Sequence, residues 1–81
     1  MRMDFFSDLV EKEVPSSKAD VTGDGSKFEA QVISEHFDGL STLKRHKLVY
    51  AALDDHIKSG AIHALSIKAY TPDEWAAAPK G

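Results

Sequence analysis

Residues Leu43–Trp75 read LKRHKLVYAALDDHIKSGAIHALSIKAYTPDEW. In that order they hold a helix, a break, a strand and the start of a second helix. Leu43, Val49 or Tyr50, Leu53 and Ile57 recur at the three- and four-residue spacing of one helix face, while Lys44, Lys47, Asp54 and Lys58 occupy the opposite side. Ser41 or Thr42 stands where a side-chain oxygen caps the first free N–H groups of that helix. Gly60 stands where a chain leaving a helix favours a left-handed residue. Ile62–Tyr70 then alternates, with His63, Leu65, Ile67 and Ala69 on one face and Ala64, Ser66, Lys68 and Tyr70 on the other, the pattern of a strand that His63 opens. Thr71-Pro72-Asp73-Glu74 starts the last helix: Thr caps, Pro takes the first position where its missing N–H costs nothing, and Glu three residues on closes a capping box. Trp75 is expected to anchor this helix to the body, with residues 77–81 forming a flexible tail.

Outward from that stretch, Met3–Val14 places Phe6, Leu9, Val10 and Val14 on a helical face, and Pro15 ends the helix. Lys18–Thr22 and Lys27–Ser34 read as strands, the second with Phe28, Ala30 and Val32 turned one way and Glu29 and Gln31 the other. Gly23-Asp24-Gly25-Ser26 between them marks a hairpin turn. Phe37 and Leu40, in the connection that follows, are expected to tuck into the core. The order is helix-strand-strand-helix-strand-helix. A third strand reached through a helical crossover runs parallel to a neighbour, so the class is α+β, a three-stranded mixed sheet covered by helices.

The composition sets bounds on function. At 81 residues the chain is expected to form a single domain, 1–81, with the 42% hydrophobic and 28% charged residues of a globular protein. Without cysteine it has no disulfide, thiolate metal ligand or thiol nucleophile. A net charge of −3 argues against a dedicated nucleic-acid binder, although a local basic face remains compatible with it. No apolar run approaches the ~20 residues of a membrane span, and the first residues lack a signal-peptide core, so a cytoplasmic protein is expected. There is no convincing Ser-His-Asp arrangement and no Gly-rich phosphate loop. Asp54, Asp55 and His56 are consecutive and so point in different directions from a helix. The chain is therefore not expected to be an enzyme.

Four histidines remain to be placed. His63, at a strand start, is either an imidazole ligand or a structural residue bonded to backbone. His46 shares the side of Leu43, Val49 and Tyr50, at a helix–sheet boundary or on a docking surface. His56 falls near the helix end, where a structural or exposed role is expected. His36 lies a whole strand from the first turn, about 25 Å at roughly 3.3 Å per residue. Arg45 is expected to be exposed, either solvated or available to a carboxylate.

Several of these pieces occur together in one known family. Val21-Thr22-Gly23-Asp24-Gly25-Ser26, Phe37-Asp38-Gly39, Arg45-His46-Lys47-Leu48-Val49-Tyr50, Ile62–Lys68 and Thr71–Trp75, in that order and spacing, resemble the BolA-like proteins over nearly the whole chain. The first and last of them look closer to the family's short bacterial branch. The resemblance implies a fold similar to the class II KH domain and a role in iron homeostasis and stress response. It also implies partnership with a monothiol glutaredoxin and its glutathione, sometimes through a shared 2Fe-2S cluster whose thiolates come from those partners. His63 matches the family's C-terminal histidine ligand; Arg45, His46 and Lys68 are then expected at the partner surface. The family's second ligand is a His or Cys in the first hairpin loop, where Gly23–Lys27 has neither. This departure leaves three readings: fewer ligands from this chain, a substitute residue, or docking without a stable cluster. A further implied reading is a DNA-binding transcriptional regulator whose KH-like face would use Lys44, Arg45, Lys47 and Lys68. Against it, the chain has no Gly-x-x-Gly. No membrane role is implied, and the chain alone is expected to be a monomer or weak dimer.

Overall fold

The computed structural model describes residues 4–25 and 27–78. Its elements are α1 (Asp4–Glu13), β1 (Ser17–Gly23), β2 (Lys27–Ser34), α2 (Thr42–Lys58), β3 (Ala64–Tyr70) and α3 (Pro72–Ala77), with a 3-10 turn at Glu35–Phe37. The expected order and the three-stranded mixed sheet are both present. In the sheet, β2 is central, antiparallel to β1 and parallel to β3. The expectations placed on Met3, on Ser26 and on residues 79–81 of the tail lie outside the described residues.

The core forms where the strands' inner face meets α1 and α2. Ala19 and Val21 from β1, and Phe28, Ala30 and Val32 from β2, meet Phe6 and Val10 from α1 and Val49 and Leu53 from α2. Phe37 and Ile62 seal it from the two connections, and Leu40 packs half-buried beside them. Each fully buried Phe, Val, Leu or Ile side chain among these contributes on the order of 1.5–3 kcal/mol before the cost of ordering the chain.

β1 is an edge strand, and α1 covers its free backbone. The Val21 N–H donates to Ser7 Oγ at 2.9 Å and the Ala19 N–H to Glu11 Oε2 at 3.0 Å. Ser7 and Glu11 are one helical turn apart, so a single helix face meets alternate N–H groups of the strand. β1 extends one residue beyond Lys18–Thr22 at each end because Ser17 and Gly23 also pair with β2, opposite Ser34 and Phe28.

Two sequence readings are corrected. Leu43 is 64% exposed and Tyr50 43% exposed, so neither belongs to the core. Seven residues apart, they share one stripe of α2, whereas Val49 and Leu53 lie on the neighbouring stripe that faces the sheet. β3 also begins at Ala64 rather than Ile62: Ile62 is buried at the end of the connection, and His63 precedes the strand instead of opening it.

Candidate functional site

The end of α2 determines where His63 emerges. Gly60 takes φ +85°, its N–H donates to Ile57 O at 3.2 Å, and the Ile62 N–H donates to His56 O at 3.1 Å. The chain thus folds back on the helix and inserts Ile62 into the core. The next side chain, His63, is then exposed. Pairing with β2 starts one residue later, with Ala64 opposite Lys27.

Lys27 closes the first hairpin. Its N–H donates to Asp24 Oδ1 at 3.0 Å and its carbonyl accepts from the Asp24 N–H at 3.1 Å, while Gly25 turns through φ +106°. Parallel neighbours lie about 4.8 Å apart, so the register brings His63 and the Gly23–Lys27 turn to the same end of the sheet. His36 lies at the far end of β2, in the 3-10 turn where its N–H donates to Ser34 Oγ at 3.0 Å.

This end of the sheet presents one imidazole, with a lysine and an aspartate nearby. Among the described residues no group of three His, Cys, Asp or Glu side chains could hold a metal ion. An exposed imidazole such as this one could give one nitrogen to a metal group whose other ligands come from elsewhere. Lysine does not extend the set, because a protonated ammonium has no lone pair to give.

The other sequence candidates are dispersed. Arg45 is not the exposed guanidinium expected of it: only 13% of its side chain is accessible. Its Nε–H donates to Leu40 O at 3.0 Å and Nη1–H to Ala69 O at 3.3 Å, and Nη1 and Nη2 form a fork on the Glu74 carboxylate, the Nη2–Oε2 bond measuring 3.2 Å. The guanidinium carbon lies 5.8 Å from the centre of the Phe37 ring. Arg45 thus ties the start of α2 to the end of β3 and the start of α3. Glu74 Oε1 also accepts the Thr71 N–H at 2.9 Å, so the α3 capping box and the clamp share one carboxylate. The hydrogen bond from Arg45, then that from the Thr71 N–H, hold the Glu74 carboxyl below its usual range. Sequence reading found the capping box but not this ion pair, whose partners lie 29 residues apart.

Lys68 projects from the opposite, outer face of the sheet and pairs with Glu29 Oε1 at 3.0 Å. That hydrogen bond, followed by the Glu29 charge, raises its ammonium above the ordinary lysine value. Lys44 and Lys47 are exposed on α2, where with His36 they rim a shallow groove floored by Leu40 and Leu48. His46 is half-buried on the same helix. The ring of His56 sits edge-on to Phe5 and Phe6, with centroids 5.3 and 5.0 Å away, in keeping with a structural role. No helix among the described residues is long and apolar enough to cross a membrane.

Comparison with known proteins agrees with this geometry. The model of the BolA-like protein family matches residues 8–74. Acid stress protein IbaG of Escherichia coli (strain K12) is 52% identical over 56 residues, which are 69% of this chain and 67% of that protein. A solved bolA protein homologue from Coxiella burnetii superposes with a TM-score of 0.80 at 42% identity, covering 94% of this chain and 97% of its own. The BolA domain of SufE1 from Arabidopsis thaliana gives 0.75 at 35% identity, over 88% and 92% of the two chains.

Proposed function

This chain belongs to the BolA-like protein family, and on that premise we propose that it is a non-enzymatic adaptor of iron–sulfur metabolism that docks a monothiol glutaredoxin. His63 gives one ligand to a 2Fe-2S cluster whose thiolates come from the glutaredoxin and its glutathione. The observation that carries this reading is the exposed imidazole of His63, fixed by the buried Ile62 beside the Gly23–Lys27 turn. Imidazole in place of thiolate on one iron is an established ligand exchange and changes the cluster's potential and charge. Lys27 acts here as a counter-charge: a thiolate-ligated cluster is anionic, and an ammonium one strand away stabilises it without ligating it. The likeness to an acid stress protein extends the proposal to a role in the response to acid.

The DNA-binding reading receives less support. Arg45 and Lys68 are paired with Glu74 and Glu29, and Lys68 lies on the sheet face opposite α2, where Lys44 and Lys47 stand. The four cations do not make the continuous basic surface that duplex DNA requires.

The test is to titrate the chain into cluster-loaded monothiol glutaredoxin and follow visible absorption and circular dichroism. A new mixed-ligand spectrum is expected, and it should be absent with His63→Ala. A spectrum that never changes, or that changes equally with the variant, overturns the ligand role.

A further inference from the structure

The outer face of the sheet has no place in the cluster proposal. Register sets its side chains in cross-strand rows: Lys18–Ile33–Tyr70, Asp20–Gln31–Lys68 and Thr22–Glu29–Ser66. α1 and α2 pack on the inner face, and among the described residues the short α3 rises over one end of the outer one, against β2 and β3. There a cavity of about 460 Å³ opens, with Lys18, Asp20, Gln31 and Ile33 as its floor and Pro72 and Trp75 as its wall. Tyr70 steadies the indole from the side, the ring centres being 5.5 Å apart and the planes tilted by 51°. The Arg45–Glu74 clamp and the Thr71 cap hold α3, and with it Trp75, in place.

We propose that this cavity binds the adenosine monophosphate moiety of an adenine nucleotide. Trp75, Ile33 and Pro72 form a surface on which a flat heteroaromatic ring gains stacking and apolar contact. Gln31 projects beside that surface, and its amide offers one donor and one acceptor, the complement of adenine N7 and N6–H. The β1 side supplies what the rest of a nucleotide needs. Asp20, directly opposite Gln31, accepts hydrogen bonds from the ribose hydroxyls, and Lys18, opposite Ile33, meets the phosphate. Side chains paired across strands lie about 5 Å apart and the next row about 7 Å away, matching the step from base to ribose to phosphate.

The charge of this face selects a mononucleotide over a nucleic-acid strand. Lys18, Lys27 and Lys68 on this face are set against Asp20 and Glu29, a surplus of one cation among the described residues, and Lys68 is already bonded to Glu29. A polyanion gains affinity by releasing counterions to many cations, and one surplus charge gives it little. One phosphate needs one lysine.

Trp75 is the sole tryptophan of the chain, so its emission reports on the cavity directly. The full chain is titrated with AMP, GMP, adenosine and a single-stranded oligo-dA, and ¹H–¹⁵N spectra are recorded alongside. AMP should quench the emission saturably and shift the amides of Asp20, Gln31 and Ile33, with GMP at least roughly ten-fold weaker, since its ring edge mismatches the Gln31 amide. Gln31→Ala should weaken AMP by roughly ten-fold, about the effect of losing one or two hydrogen bonds. Lys18→Ala should remove the preference for AMP over adenosine. Quenching that rises linearly and equally for AMP and GMP, amide shifts elsewhere, or an unchanged AMP titration in Gln31→Ala overturns the proposal. So does tighter binding of the oligonucleotide than of AMP, which would make the face a single-strand platform.

Discussion

Replacing Arg45 with alanine separates a structural clamp from a partner-binding side chain. The guanidinium donates to two backbone carbonyls, Leu40 O and Ala69 O, from a largely enclosed position. At roughly 1–1.5 kcal/mol each, these bonds contribute about 2–3 kcal/mol. The fork onto Glu74 is left out of this sum, because that carboxylate is 47% exposed and solvent screens it. For a domain of this size, 2–3 kcal/mol lowers the melting temperature by about 10–20 °C. Thermal and urea unfolding of the wild-type chain, Arg45→Ala and Arg45→Lys provide the measurement. Lysine should recover only part of the loss, since one ammonium cannot reach two carbonyls and a carboxylate in the guanidinium's planar geometry. If Arg45→Ala melts within about 2 °C of wild type, a shift worth well under 1 kcal/mol, and yet loses glutaredoxin binding, the clamp reasoning is wrong and the side chain belongs to the interface.

Other predictions follow from the same packing. Gly23 lies opposite Phe28, and an added Cβ would fall 2.5 Å from Phe28 Cε1 and closer still to Cδ1, so Gly23→Ala should destabilise by about 1–3 kcal/mol. Adding Phe28→Leu should give a double variant less unstable than the two single losses summed, and simple additivity would refute the clash. The lowered Glu74 carboxyl contributes stability that is complete above the ordinary carboxylate range and is lost as pH falls through its depressed value. Acid titration followed by Trp75 emission should therefore show α3 loosening, and Glu74→Gln should remove that step; an unchanged titration in Glu74→Gln would contradict the assignment.

Features built from near neighbours were legible in the sequence. The capping box at Thr71–Glu74 needs only residues three apart and stands as read. The alternation in β2 named its buried side, Phe28, Ala30 and Val32, because successive side chains of any strand leave on opposite faces. Features that depend on how elements dock were not legible. On α2 the spacing admitted two adjacent stripes. Val49 rather than Tyr50 faces inward because the helix is rotated by its contacts with β3 and α1. Arg45 looked exposed because its acceptors come from Leu40, Ala69 and Glu74, which no local pattern connects.

Local patterns in the chain were enough for the element order, the hairpin, the caps and the lack of any cysteine ligand, and the family resemblance singled out His63 among the four imidazoles. Tertiary structure alone decided what those residues meet. It brought His63 to the Gly23–Lys27 turn through the β2–β3 register, turned Arg45 inward, and set Trp75 in the wall of a cavity on the outer sheet face. Periodicity specifies which side chains share a face at the cost of one local conformation per residue. Which face meets which is chosen by the burial of the whole apolar set at once, and that cooperative choice is absent from any single window of the chain.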